Sequence, residues 1–313
     1  MLFCLATANS LRMNDGMSVA LDTVELASPA KVNLMLSVHG PQADGFHALT
    51  SVVVALDFGD QLKVARAHGT ADTLSCTDPE VPIGLDNLVL KAARLFREAV
   101  GEAVYFEFDL EKSIPMGAGL GGGSSNASTA LLGMNQLMGE RLSKFELLKL
   151  AAELGSDCPF FIDPRPSLMS GRGEVIKPLD SSLAEVLRGL PIALFRPNYS
   201  INTHWAYGQL RRHAPASYES ASDAQLRVQE FIKSQEPRVL LFNSFEPIVG
   251  YKYISLACLL ELLREKGISA LMSGSGSCCF SILNENICSF SRLHEICCDA
   301  WGDSAFWVVT SVS

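Results

Sequence analysis

The sequence predicts an α+β protein of two domains. Three observations carry that reading. The chain has 313 residues, too many for one ordinary hydrophobic core. Its strand-like and helix-like segments do not alternate regularly, as a doubly wound parallel sheet would require. A glycine-rich loop sits between a strand pattern and a helix pattern rather than in a linker. With 48% hydrophobic and 19% charged residues, the composition is that of a compact protein.

From Ala27 to Leu62 the pattern is strand: KVNLMLSV, a turn at GPQADG, then ALTSVVVALDF. Pro41, Asp44 and Gly45 supply the turn chemistry. Asp86 opens a helix-like segment, DNLVLKAARLFREAV, which Gly101 closes. AVYFEFDL follows as a strand rich in aromatic and β-branched residues. Beyond the glycine loop, Ala127, Ala130, Leu131, Met134, Leu137 and Met138 form one apolar helix face. A second helix starts at Ser143, with Glu146 completing a capping box, and Gly155 suits a left-handed close. SDCPFFI then places Asp157 at a helix-to-strand junction. Past residue 165 the order is mixed. PIALFRP is a strand, residues 203–212 are helical, and APASYESASDAQ is a polar stretch. YISLACLLELLREKG is a helix, and SALMSGSGSCCFSIL reads strand, turn, strand.

The net charge is −9, with no stripe of Lys and Arg, so nucleic acid is not an expected partner. An anionic ligand must be held by a few local cations and by backbone dipoles. The nine cysteines show no metal-binding spacing. Cys278–Cys279 and Cys297–Cys298 are adjacent pairs, and all are read as reduced core thiols of a cytoplasmic protein. Ala6-Thr7-Ala8 resembles a cleavage site, but no basic segment precedes it and the apolar run is too short for a secretory signal. Residues 1–16 read as a disordered extension. No segment reaches the apolar length of a membrane span.

The stretch IPMGAGLGGGSSNAS, residues 114–128, carries the chemistry. Glycine permits left-handed dihedrals and close approach. The first N–H groups of a following helix lack internal partners and face an anion favourably. Ser124 and Ser125 add hydroxyls suited to phosphate or a magnesium ion. A P-loop is excluded, since no lysine follows the glycines. The dinucleotide pattern fits Gly117, Gly119 and Gly122 formally, but Glu140, at the distance of its acidic residue, falls between two helix patterns. Asp57-Phe58-Gly59 precedes the loop, opposite to the order in protein kinases.

PMGAGLGGGSSNAS resembles the glycine-rich loop of the GHMP small-molecule kinases, whose core reads roughly P-x-x-x-G-L-G-S-S-A. SPAKVNLMLSVHGPQADGFHAL, LDFGDQL, DNLVLKAARL, LGSDCPFF, GRGE and SGSGSCCF resemble further stretches of that family. They occur in the family's order and cover most of the chain from Ser28 to Phe280. The resemblance implies an N-terminal ribosomal-protein-S5-like, ATP-binding domain over residues 17–165 and a C-terminal ferredoxin-like domain over residues 166–313.

It also implies an ATP-dependent kinase acting on a small alcohol that carries a cytidylyl group, with Mg2+ as companion ion and no metal-ligating cluster of side chains. ATP is implied along Pro115, Met116, Gly117, Ala118, Gly119, Leu120, Gly121, Gly122, Gly123, Ser124 and Ser125. Asn87 and Lys112 are implied near its adenosine end. Asp157 is implied as the base or hydroxyl-orienting group, with Lys31 as its partner. Asn33, Phe46 and His47 are implied on the substrate side. Phe46 departs from the family, where a tyrosine is usual. Ser273 to Gly276 form a second small-residue loop implied to lie close by. The alternatives are a GHMP kinase for mevalonate, homoserine or a sugar, which DGFH and LGSDCPFF argue against, and a non-catalytic binding protein of the same fold. A membrane is not an expected partner, and the oligomeric state stays open.

Overall fold

The structure, a computed structural model, describes residues 22–42 and 47–313. The expected extension over residues 1–16, and Phe46, lie outside the described residues. Two long strands open the described chain, β1 (Thr23–Pro41) and β2 (His47–Arg66). Then come β3 (Thr73–Cys76), α1 (Leu88–Val100), β4 (Phe106–Glu111), α2 (Gly122–Leu137), α3 (Lys144–Leu154) and α4 (Cys158–Ile162). β5 (Ser167–Ser170), β6 (Val175–Pro178), α5 (Ser181–Leu187), β7 (Pro191–Arg196), α6 (Thr203–Arg212) and α7 (Ala221–Ser234) follow. The remainder is β8 (Phe242–Asn243), α8 (Phe245–Gly250), α9 (Ile254–Glu265), β9 (Ala270–Met272), β10 (Cys279–Ile282), α10 (Phe290–Trp301) and β11 (Phe306–Ser311).

The elements group into two compact units that interleave in sequence. Of the described residues, the first holds 22–29, Gly59–Ser113 and Gly122–Asp163. The second holds Ala30–Phe58, Ile114–Gly121 and Pro164–Ser313. β1 and β2 each contribute residues to both.

In the first unit the end of β2 pairs antiparallel with β4, from Gln61↔Glu111 to Arg66↔Phe106, and β3 runs parallel to β4. α1 buries Val89, Leu90, Ala92, Ala93 and Phe96, the repeat of one helix face. Phe96 meets Phe106 edge-on at 6.0 Å between centroids. Leu62, Val64, Phe108, Leu131 and Met134 complete this core. α2 lies so close to the sheet that a Cβ on Gly133 would stand 2.8 Å from Cγ2 of Val64. Ser143 and Glu146 form the expected capping box of α3.

Three local expectations need correction. Asn87, not Asp86, caps α1, its side chain accepting from the N–H of Val89. Gly155 follows α3 in an extended conformation, φ 167° and ψ 159°, so no left-handed close is needed there. Asp157 lies between two helices, at the N-cap of the short α4, and the strand comes only at Ser167. Cys158, Phe160, Phe161 and Ile162 are all buried, and a five-residue apolar run does not tell a strand from a buried helical turn.

In the second unit β7, β9, β10 and β11 form an antiparallel sheet in the order β11-β7-β10-β9. With helices between β7 and β9 and between β10 and β11, this is the β-α-β-β-α-β arrangement of ferredoxin-like domains. The start of β2 pairs with β5, and β5 with β6. β1 pairs parallel with β8 at Met35↔Phe242 and Leu36↔Asn243. From Ala30 to Val38 β1 is buried on both faces. The chain returns to β2 beyond β11, where Val312 bridges Leu56 and the N–H of Ser313 donates to the carbonyl of Ala55 at 3.1 Å. Leu34, Val54, Leu194, Phe231 and Phe280 belong to this unit's core. The polar stretch of the sequence conceals α7, capped by Ser220 and anchored through Ala224, Val228 and Phe231.

Among the described residues no helix is long and apolar enough to cross a membrane. The eight described cysteines are free thiols. Burial pushes Cys158 up to about 11 and Cys278 and Cys297 up to about 12, so these three are protonated and unreactive near neutrality.

Candidate active site

The glycine loop alternates bare and anchored positions. Gly117, Gly119 and Gly121 have φ of 60°, 79° and 73°, the left-handed region that suits glycine. Ala118 and Leu120 between them are buried in the second unit's core. Pro115 and Met116, at the loop's entry, are half-buried. Alternation of this kind fixes the loop by its side chains and leaves glycine backbone at the intervening positions.

The second small-residue loop supports the first. A Cβ on Gly119 would stand 2.2 Å from the carbonyl oxygen of Ser273. The Ser273 hydroxyl donates to the carbonyl of Gly119 at 3.1 Å. The N–H of Cys278 donates to Ala118 and that of Lys31 to Leu120, at 3.0 and 2.9 Å. Arg196 donates to the Met116 carbonyl and to the Ser277 hydroxyl, both at 3.2 Å.

Behind this turn stands the buried Asn243. Its Nδ2 donates to the carbonyls of Met272 and Gly274 at 2.7 and 2.8 Å, while its Oδ1 accepts from the N–H of Phe245 at 2.9 Å. Neither Asn243 nor Arg196 stands out in the sequence, because neither falls in a periodic or glycine-rich stretch. Asn243→Asp would aim a carboxylate at two carbonyl oxygens. An unmade buried hydrogen bond costs about 1–3 kcal/mol, so with ATP on the glycine loop, as the resemblance implies, its affinity should fall about tenfold or more. A nucleotide titration checks this, and unchanged affinity would detach the brace from the loop.

α2 begins at Gly122, within the glycine run. Gly123 is exposed and Ser124 half-buried, but Ser125 is fully buried. Ser125 accepts from the Ser28 hydroxyl at 2.9 Å, and Asn126 donates to Ser28 and to Oδ2 of Asp60, both at 2.8 Å. Asp60, 0% exposed, also accepts from the ammonium of Lys112 and, through Oδ1, from the N–H of Ser113 at 2.7 Å. Three donors, one of them cationic, offset the cost of burying this carboxylate. Lys112 therefore has its ammonium on Asp60, and its side chain is only 6% exposed. Asn87 has both ends of its amide engaged, Oδ1 in the cap of α1 and Nδ2 on the carbonyl of Pro82 at 2.6 Å. Lys112, Asn87 and Ser125 thus carry structural bonds at the positions implied for nucleotide binding.

Lys31 and Asn33 project from one face of β1, two residues apart. The Lys31 ammonium donates to Oδ1 of Asn33 at 2.6 Å. Asn33 donates to the Ser51 hydroxyl at 2.8 Å, and Ser51 to the Met35 carbonyl at 2.6 Å. Each donor points one way, so the chain of bonds orients the ammonium from behind. Lys31 and Asn33 are each 5% exposed, a setting in which a lysine is held for a purpose other than solubility. In the first unit, Asp157 is half-buried and makes no capping bond to the helix it opens.

His47 lies among tyrosines. Its Nε2 is 3.1 Å from the Tyr218 hydroxyl, and its ring centroid lies 5.1 Å from that of Tyr207 and 5.7 Å from that of Tyr218. Burial, and then the nearby positive charge of Arg211, lower its pKa, so the imidazole is neutral at pH 7. Both tyrosines escape a sequence reading. Tyr207 sits in a mostly polar helix and Tyr218 in the polar stretch, far from His47 along the chain.

Comparison with known proteins places the chain in a family. Residues 87–164 match the model of the GHMP kinase N-terminal domain and residues 229–286 that of the GHMP kinase C-terminal domain. A 4-diphosphocytidyl-2-C-methyl-D-erythritol kinase of Synechococcus sp. (strain JA-3-3Ab) is 34% identical over 90% of this chain and 92% of its own. One from Protochlamydia amoebophila (strain UWE25) is 38% identical over 83% and 84%. Among solved structures, a 4-(cytidine 5'-diphospho)-2C-methyl-D-erythritol kinase is similar with a TM-score of 0.71 and 32% identity, over 93% of this chain and 100% of its own. A homoserine kinase from Cytophaga hutchinsonii shares the fold, with a TM-score of 0.72 and 17% identity over 96% and 98% of the two chains. With that breadth of likeness, the chain belongs to the GHMP kinase family, in the branch that the Synechococcus and Protochlamydia kinases represent.

Proposed function

We propose that the chain transfers the γ-phosphate of ATP to the 2-hydroxyl of 4-diphosphocytidyl-2-C-methyl-D-erythritol, a step of non-mevalonate isoprenoid precursor synthesis. The observation that carries the reading is the row of left-handed glycines, anchored at Ala118 and Leu120 and followed directly by a helix start. The relatives' shared substrate supports the choice of acceptor.

In this reading the loop backbone and the first N–H groups of α2 receive the phosphates. Asp157 orients the acceptor hydroxyl and takes its proton. Lys31, aimed by Asn33, steadies the developing alkoxide and offsets charge on the transferred phosphoryl group, where positioning and charge neutralisation do most of the work. Among the described residues no group of three or more His, Cys, Asp or Glu side chains could hold a metal ion. A Mg2+ accompanying the nucleotide would be met by the half-buried Ser124 hydroxyl and would supply further neutralisation of the triphosphate. His47 meets the cytidylyl base, with Phe46 offering an aromatic face. The buried, protonated thiols suit a cytoplasmic protein.

The test is a coupled ADP-release assay. Turnover is expected with the cytidylyl substrate and not with mevalonate or homoserine. Equal turnover on either of those would overturn the choice of acceptor.

A further inference from the structure

We infer that Tyr218 is a positioning residue for base recognition: its hydroxyl, bonded to Nε2 of His47, holds the imidazole in the form that carries its proton on Nδ1. The inference rests on the reading that His47 meets the cytidylyl base.

Tyr218 is itself held firmly. Its ring packs against the backbone of Gly40, where a Cβ would stand 3.5 Å from the ring. Gly40 has φ 108°, so no larger residue fits that backbone easily. The next residue is clipped to β1 twice. The N–H of Glu219 donates to Val38 at 3.0 Å, and its carbonyl is 2.9 Å from Nδ1 of His39. The Glu219 carboxylate pairs with Arg227 of α7 at 2.7 Å. The hydroxyl therefore reaches His47 from a fixed direction.

A phenol is a stronger donor than acceptor, because its oxygen lone pair is delocalised into the ring. Facing a neutral imidazole, it donates to Nε2, and the ring proton resides on Nδ1. Arg211 is the charged group that acts on this imidazole, and its positive charge favours the same neutral form. An Nδ1–H donor suits cytosine, whose N3 accepts. It opposes uracil, whose N3 carries a hydrogen. The Tyr218 hydroxyl thereby makes the histidine a reader of one pyrimidine rather than a contact for either.

The experiment compares wild type, Tyr218→Phe and His47→Ala on the cytidine and uridine forms of the substrate. Phenylalanine keeps the ring against Gly40 and removes only the hydroxyl, and ATP titration reports that each variant is folded. The expected result is a cytidine preference in wild type that falls about tenfold or more in both variants, through a raised KM for the cytidine form. A preference lost in His47→Ala and intact in Tyr218→Phe would overturn the role of Tyr218 alone. No preference in wild type would overturn the base-recognition reading with it. Nitrogen NMR of His47 in the wild type is an independent measurement: a proton on Nδ1 supports the inference, and a proton on Nε2 overturns it.

Discussion

Asp157→Asn is expected to lose turnover by about 10²–10⁴-fold, the usual contribution of a general base, while the variant folds and still binds ATP. The amide has nearly the shape of the carboxylate and can still hydrogen-bond the acceptor hydroxyl. It cannot take the proton. Folding should survive because the side chain makes no capping bond to α4, whose own residues are buried and hold it in place. Asp157 therefore does not perform the capping duty that aspartates before a helix often perform. A steady-state assay with a parallel nucleotide titration separates chemistry from binding. Turnover within a few-fold of wild type would remove Asp157 from the mechanism, and lost ATP binding would give it a structural role instead.

The second large effect is at Gly119. Gly119→Val should abolish measurable ATP binding. Two costs act together. A β-branched residue at φ 79° sits in backbone space that costs about 1–2 kcal/mol for an L-residue. Its Cβ would also stand 2.2 Å from the Ser273 carbonyl oxygen, a backbone atom that cannot rotate aside. The loop must leave the turn at Ser273 to Gly276, and with it the geometry proposed to aim the glycine backbone at phosphate. Gly69, around which nothing lies within 4 Å of an added Cβ, is the control, and Gly69→Val should bind ATP as wild type does. If Gly119→Val also binds normally, the loop is not the phosphate cradle.

What the sequence made legible and what it did not divide along physical lines. The glycine loop, the capping box at Ser143 and the helices of strong apolar period were readable because their signals are local. α7 was not, since only Ala224, Val228 and Phe231 mark its buried face amid polar residues. Lys31 and Asp157 were singled out only through the family, since alone they look like an ordinary surface lysine and a turn aspartate. The partners of Lys112 and Ser125 were out of reach. Asp60 and Ser28 lie 52 and 97 residues away along the chain, and pairings of that kind have no periodicity. The same holds for the Asn243 brace, which joins a two-residue strand to the end of β9 and the turn after it, 29 and 31 residues on.

The interleaving of the two units bears on how the chain is made. Everything the first unit needs has been synthesised by Asp163, so it can fold while the rest is still on the ribosome. The second unit cannot. Its share of β1 and β2, Ala30–Phe58, emerges early, yet its four-stranded sheet and the contact of Leu56 with Val312 require the far end of the chain. During that wait a buried-type apolar strand pair lacks its partners, with open edges exposed to other nascent chains. Cutting the polypeptide at residue 165 would not release a self-sufficient C-terminal piece, because that piece would leave behind two of its own strands. Fragments should instead complement one another only when both are present during refolding.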